Sequence, residues 1–154
     1  MRKPKYRTEK EDFVIYAFTS PVDKKCFVWH CRKESIRDTY RFHKNFHRYC
    51  SERFMYAVKP HRPCMHVLEE VPQVTVVRAY RYVLAWIRIF IENGYTCYNY
   101  DSIIDEANDM LWETQKLYDA RKDECLDELL SCERCQVRVY KREQCPFLEN
   151  EIDE

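Results

Sequence analysis

One glycine in 154 residues, Gly94, is the tightest limit on what this chain can fold into. Glycine enters left-handed backbone conformations without steric cost, so a chain with a single copy can make few tight reversals. Six prolines add breaks without adding that freedom. Both features argue against a loop-rich all-β architecture and for long helices with few tight turns. Apolar content of 45% and aromatic content of 15% exclude a mostly disordered chain, and the length suits one domain with at most a small appendage.

The most apolar long stretch, residues 74–91, is interrupted by Arg78, Arg81 and Arg88, so no membrane-spanning segment is expected. Residues 1–13 are polar and charged, without the apolar centre of a secretion signal. Nine cysteines without such a signal fit a reducing compartment, where thiols pack in cores or bind metal, and a cytoplasmic location is expected.

Formal net charge is zero but unevenly placed. Residues 1–62 hold 16 Lys and Arg against 7 Asp and Glu, and residues 63–154 hold 10 against 19. All five histidines lie between residues 30 and 66. A basic first half attracts a polyanion such as DNA or RNA. Alternatively, the halves neutralise each other within one fold, because sequence halves need not become separate faces.

Residues 13–19, Phe-Val-Ile-Tyr-Ala-Phe-Thr, read as a strand, residues 20–25 as a turn with Pro21 and Asp23, and residues 26–30 as a second strand forming a hairpin with the first. A helix is expected from Ser35, which can cap it. Ile36, Tyr40, His43 and His47 would share one of its faces and Arg37, Arg41, Lys44 and Arg48 the next. Residues 49–63, with two prolines, are expected as a loop, and residues 65–69 as a third strand. Residues 72–93 read as a helix, stopped by Asn93-Gly94. A second long helix is expected over residues 101–131, capped by Asp101 or Ser102. The expected fold is α+β: a small three-stranded antiparallel sheet packed with helices, a long C-terminal helix and a cysteine-containing tail. Residues 1–11 form a basic tail, 12–100 the α/β domain, 101–131 the helix, and 132–154 an acidic tail with cysteines.

Val14-Ile15-Tyr16, the turn at residues 19–25, and Phe27-Val28-Trp29 resemble the paired tripeptides that name the GIY-YIG nucleases. Arg37 stands near that family's helix arginine, with His43 further along the same helix. Ala85-Trp86-Ile87, then Gly94-Tyr95 and Tyr98-Asn99, resemble its third helix and closing asparagine. The resemblance covers residues 12–100. It implies phosphodiester hydrolysis with Mg²⁺ or Mn²⁺, in which a hairpin tyrosine assists the base, the arginine stabilises phosphate charge and a helix glutamate holds the metal. Catalytic candidates on this resemblance are Tyr16, Arg37 and His43. The chemistry needs a guanidinium or metal cation to offset charge developing on phosphoryl oxygens, and Mg²⁺ needs hard oxygen ligands.

The sequence departs from that pattern at three places. Phe27 stands for the second tyrosine and Trp29 for the following glycine, and Tyr82 and Val83 stand where the metal-binding glutamate belongs. The expectation is nucleic-acid binding through Arg37, Arg41, Lys44 and Arg48 with phosphodiesterase activity lost or weak. Two alternatives stay open: an active endonuclease with a displaced carboxylate (Glu69, Glu70 or Glu92), and a protein-interaction or oligomerisation module built on the long helix. His30 is a further candidate base or phosphate contact. Separately, Cys132-Glu-Arg-Cys135 is a CxxC pair that with Cys125 and Cys145 makes four soft ligands, enough for a structural zinc, with Cys97 as a substitute. Idle reduced thiols are the other reading of the same cysteines.

Overall fold

The computed structural model describes residues 8–20, 24–45, 51–58 and 64–130. Two strands, β1 (Glu11–Thr19) and β2 (Lys25–Arg32), form an antiparallel hairpin in which Tyr16 faces Trp29 and Ala17 faces Val28. A 3-10 turn, Lys33–Ser35, runs into α1 (Ile36–Asn45), so Ser35 lies inside this turn and does not cap the helix. Then follow α2 (Glu52–Val58), β3 (Cys64–Val74), α3 (Val76–Glu92), β4 (Thr96–Cys97), α4 (Asp101–Asn108), α5 (Trp112–Arg121) and α6 (Leu126–Leu129).

The sheet order is β3-β1-β2-β4. The expectation of three antiparallel strands is corrected: the sheet has four strands and is mixed, because β4 pairs parallel with β2. After α3 ends, the chain drops beside the free edge of β2, where Lys25 and Cys26 face Thr96 and Cys97. Two residues are too few to give a periodic signal in sequence.

β1 is interior, and residues 13–20 are all buried. Val14, Tyr16 and Phe18 pack with Tyr40 of α1 and Phe54 and Val58 of α2. Ile15 and Ala17 join a second cluster with Val83, Trp86, Ile87 and Phe90 of α3, Ala107 of α4 and Leu126 of α6. A strand buried on both faces needs no polar alternation, which explains its unbroken apolar run. Helices α1 and α2 thus cover one face of the sheet, and α3 with α4 to α6 covers the other.

β3 is longer than the expected residues 65–69, and the helix expected from Pro72 begins at Val76. The strand lies at an edge, where Pro72 costs no ladder hydrogen bond. It bulges there: Phe13 faces Val71 but Glu11 faces Val74, Gln73 takes a φ of 51°, and Asp12 accepts hydrogen bonds from the Gln73 backbone and side-chain amides. Thr75 then caps α3, its hydroxyl accepting from Arg78 N–H at 3.3 Å. At the other end Gly94 has a φ of 87°. Its N–H reaches Ile91 O at 3.0 Å and the Tyr95 N–H reaches Phe90 O at 3.0 Å, closing the last turn. The one glycine is spent on stopping this helix.

The long helix expected over residues 101–131 is broken into α4, α5 and α6. Asp109 and Leu111 leave helical geometry, with ψ of 63° and 162°. A straight helix over that length would reach roughly 45 Å, against roughly 25 Å for the 17-residue α3 it packs on. Breaking it lets Ile103, Ile104 and Ala107, and then Tyr118, reach the same core. The segment at residues 49–63, expected as a loop, contains α2, whose Phe54 and Val58 are one turn apart and both buried. No helix among the described residues is long and apolar enough to cross a membrane.

Candidate nucleic-acid interface and the buried tyrosine

Tyr16 is the residue from which a catalytic reading starts, and the fold encloses it completely. Its hydroxyl lies 2.6 Å from His43 Nε2, and His43 Nδ1 lies 2.6 Å from Ser51 Oγ. Phe18 and Phe27 sit against the imidazole with ring centres at 4.9 and 5.6 Å. Burial pushes the His43 pKa down to about 3, so the ring is neutral at physiological pH. A neutral imidazole has one donor and one acceptor nitrogen, so the Tyr16 and Ser51 hydroxyls take opposite roles toward it. A hydroxyl–imidazole–hydroxyl chain is the arrangement of an activated nucleophile. Here Tyr16, His43 and Ser51 are all at or below 2% exposure, so no substrate atom reaches them. The chain ties β1, α1 and the start of α2 together.

The structure brings Tyr16 and His43 together and sets Arg37 apart from them. Arg37 and Arg41 are exposed on the outer side of α1. Arg41 lies 3.9 Å from Asp38 in a solvated pair of little energetic weight. Lys44 belongs to α1, and Arg48 lies outside the described residues. His30 stacks on Trp29 at 4.9 Å, and burial lowers its pKa to about 4. Trp29 lies edge-on to Tyr80 of α3, so its bulk packs between sheet and helix.

The layers separate charge. Described residues from 32 to 58, which include α1 and α2, hold six Lys and Arg against three Asp and Glu. Residues 76–130, which span α3 to α6 on the other side of the sheet, hold six against eleven. The two segments meet where Arg53 of α2 pairs with Asp101 at the start of α4 at 3.3 Å.

Among the described residues, those at the expected position do not fit a divalent ion of the nuclease type. Val83 is buried and apolar and Tyr82 lies half-buried beside it, where a glutamate would be needed. The three carboxylates that could substitute are engaged. Glu69 accepts from Trp86 Nε1 at 2.7 Å and pairs with Arg121 through both oxygens. Glu70 pairs with Lys33 at 3.2 Å. Glu92 accepts from Arg88 at 2.8 Å and from the Tyr118 hydroxyl. Among the described residues no three His, Cys, Asp or Glu side chains are grouped to hold a metal. Of the zinc candidates, Cys125 is exposed, while Cys132, Cys135 and Cys145 lie outside the described residues.

Comparison with protein-family models, curated proteins and solved structures finds no match.

Sequence reasoning overlooked Ser51, whose segment carries no pattern linking it to His43. It also overlooked Arg121 as the partner of Glu69, 52 positions away. Asn99 was noted only through the family resemblance. It is fully buried, its Oδ1 accepting from Val28 N–H at 3.1 Å and its Nδ2 donating to Val28 O at 2.8 Å.

Proposed function

We propose that this chain is a GIY-YIG-nuclease-like protein that binds nucleic acid through the α1 side of the sheet and does not cleave it at an enzymatic rate. The observation that carries the reading is the segregation of charge across the sheet, which leaves Arg37 and Arg41 exposed on a net basic layer opposite an acidic one. Such a layer attracts phosphates and orients the encounter without needing base contacts. Enclosure of Tyr16 supports the loss of cleavage, since a group that assists attack must lie within reach of the reacting atoms. Engagement of the largely buried Glu69 by Trp86 and Arg121 supports it further.

The test measures anisotropy of labelled single- and double-stranded DNA and RNA over a salt series, for wild type and for the double variant Arg37→Glu, Arg41→Glu. Binding should weaken with salt, and the reversal should lower affinity and flatten the log–log salt slope by about 2 if both side chains meet phosphates. Equal affinity and slope in the variant would show that this face is merely solvated. The same substrates with Mg²⁺ or Mn²⁺ should stay as intact as with Arg37→Ala. Cutting that requires both the metal and Arg37 would overturn the loss of activity.

A further inference from the structure

Cys26 is the second residue of β2 and Cys97 ends the short fourth strand, 71 positions later in sequence and directly opposite in the parallel pairing. Register partners on neighbouring strands point to the same face, and both residues belong to the apolar cluster against α3. Their thiols are hydrogen-bonded to each other, and Cys97 Sγ also donates to Asn99 Oδ1 at 2.9 Å. Adjacent strands run about 4.8 Å apart, inside the roughly 4.4–6.8 Å Cα separation that a disulfide spans. The backbone already stands where a bridge needs it.

We propose that Cys26 and Cys97 are a buried dithiol that hydrogen peroxide oxidises to a disulfide joining β2 to β4. Cys97 reacts first. It sits on a two-residue edge strand at 9% exposure while Cys26 is at 0%, and the Cys26 thiol and the Arg53 charge both favour its thiolate. The Cys97 thiolate attacks one peroxide oxygen and the O–O bond breaks. The departing hydroxide takes up the proton Cys97 released and leaves as water, giving a sulfenic acid. The Cys26 sulfur then attacks the sulfenic sulfur, and its own proton leaves with the displaced hydroxide as a second water. The two thiols lose two electrons and the peroxide gains them. The product pins β4, and with it Asn99 and the entry to α4, to the hairpin.

The full-length protein is treated with a small excess of hydrogen peroxide, free thiols are alkylated, and tryptic peptides are mapped. The expected product links the peptide of residues 26–32 to that of residues 89–116, with fragmentation assigning the bond to Cys26 rather than Cys31. Cys26→Ala should instead leave a sulfenic acid at Cys97 that dimedone traps. Oxidised wild type should melt about 5 °C or more higher, because the bridge restrains a long stretch of unfolded chain, and dithiothreitol should reverse the shift. Cys125→Ser, which removes an exposed thiol, should change none of this. Links to other cysteines, sulfinic acid at Cys97 without a link, or an unmodified pair in folded protein whose Cys125 has oxidised would each overturn the proposal.

Discussion

The Asn99 side chain binds the backbone N–H and C=O of Val28 together, so one amide replaces a strand along the part of β2 that β4 does not reach. It does this just beyond β4, where Tyr98 N–H also bonds Cys26 O at 2.9 Å. The join between the hairpin and the helices after α3 therefore depends on a buried side chain as much as on a ladder.

Replacing Asn99 by Ala should leave the Val28 N–H and C=O buried without partners. Each such group costs about 1–3 kcal/mol, so a loss of several kcal/mol is expected. Asn99→Asp should be destabilising as well, since a carboxylate accepts from the N–H but gives nothing to the carbonyl. Urea unfolding midpoints at constant slope measure both; a midpoint within error of wild type for Ala would show that the amide carries no weight.

Acid should destabilise the protein through its buried histidines. Burial lowers His43 to about 3 and His30 and His66 to about 4, while in the unfolded chain each titrates near 6.5. Between those values the unfolded state holds more protons, so stability is fully present above about pH 6.5 and falls as pH drops toward 4. Each histidine adds a slope of up to about 1.4 kcal/mol per pH unit. His43→Gln should be less stable than wild type at pH 7 yet lose less on going to pH 5. An unchanged slope would mean that His43 is charged or solvated in the fold.

Glu69, Trp86 and Arg121 should behave as one unit. Both charged side chains are about four-fifths buried, and Glu69 holds α3 and α5 through its two oxygens. Removing one partner strands the other, so Glu69→Gln and Arg121→Met should each cost about 1.5–3 kcal/mol. Their double variant should cost less than the sum, with a coupling of about 1 kcal/mol or more. Strict additivity in chemical denaturation would dissolve the unit.

The sequence by itself determined those features that depend on neighbours along the chain. The apolar runs around Val14 and Phe27 with Pro21 and Asp23 between them made the hairpin legible, Asn93-Gly94 marked the end of α3, and helical spacing placed Tyr40 and His43 on one face of α1 and Arg37 and Arg41 on the next. Turn chemistry and side-chain periodicity act over a few residues, so they can be read without coordinates. The tertiary structure alone decided the rest. β4 is too short to carry a pattern, and α2 forms because Phe54 and Val58 find the sheet. Residues 101–130 break twice because α3 is too short to support one long helix. The fate of Tyr16 belongs to the same class: a tyrosine on a strand is reachable or enclosed according to what covers that face, and here His43 and Phe54 arrive from helices whose docking on that face local sequence does not specify.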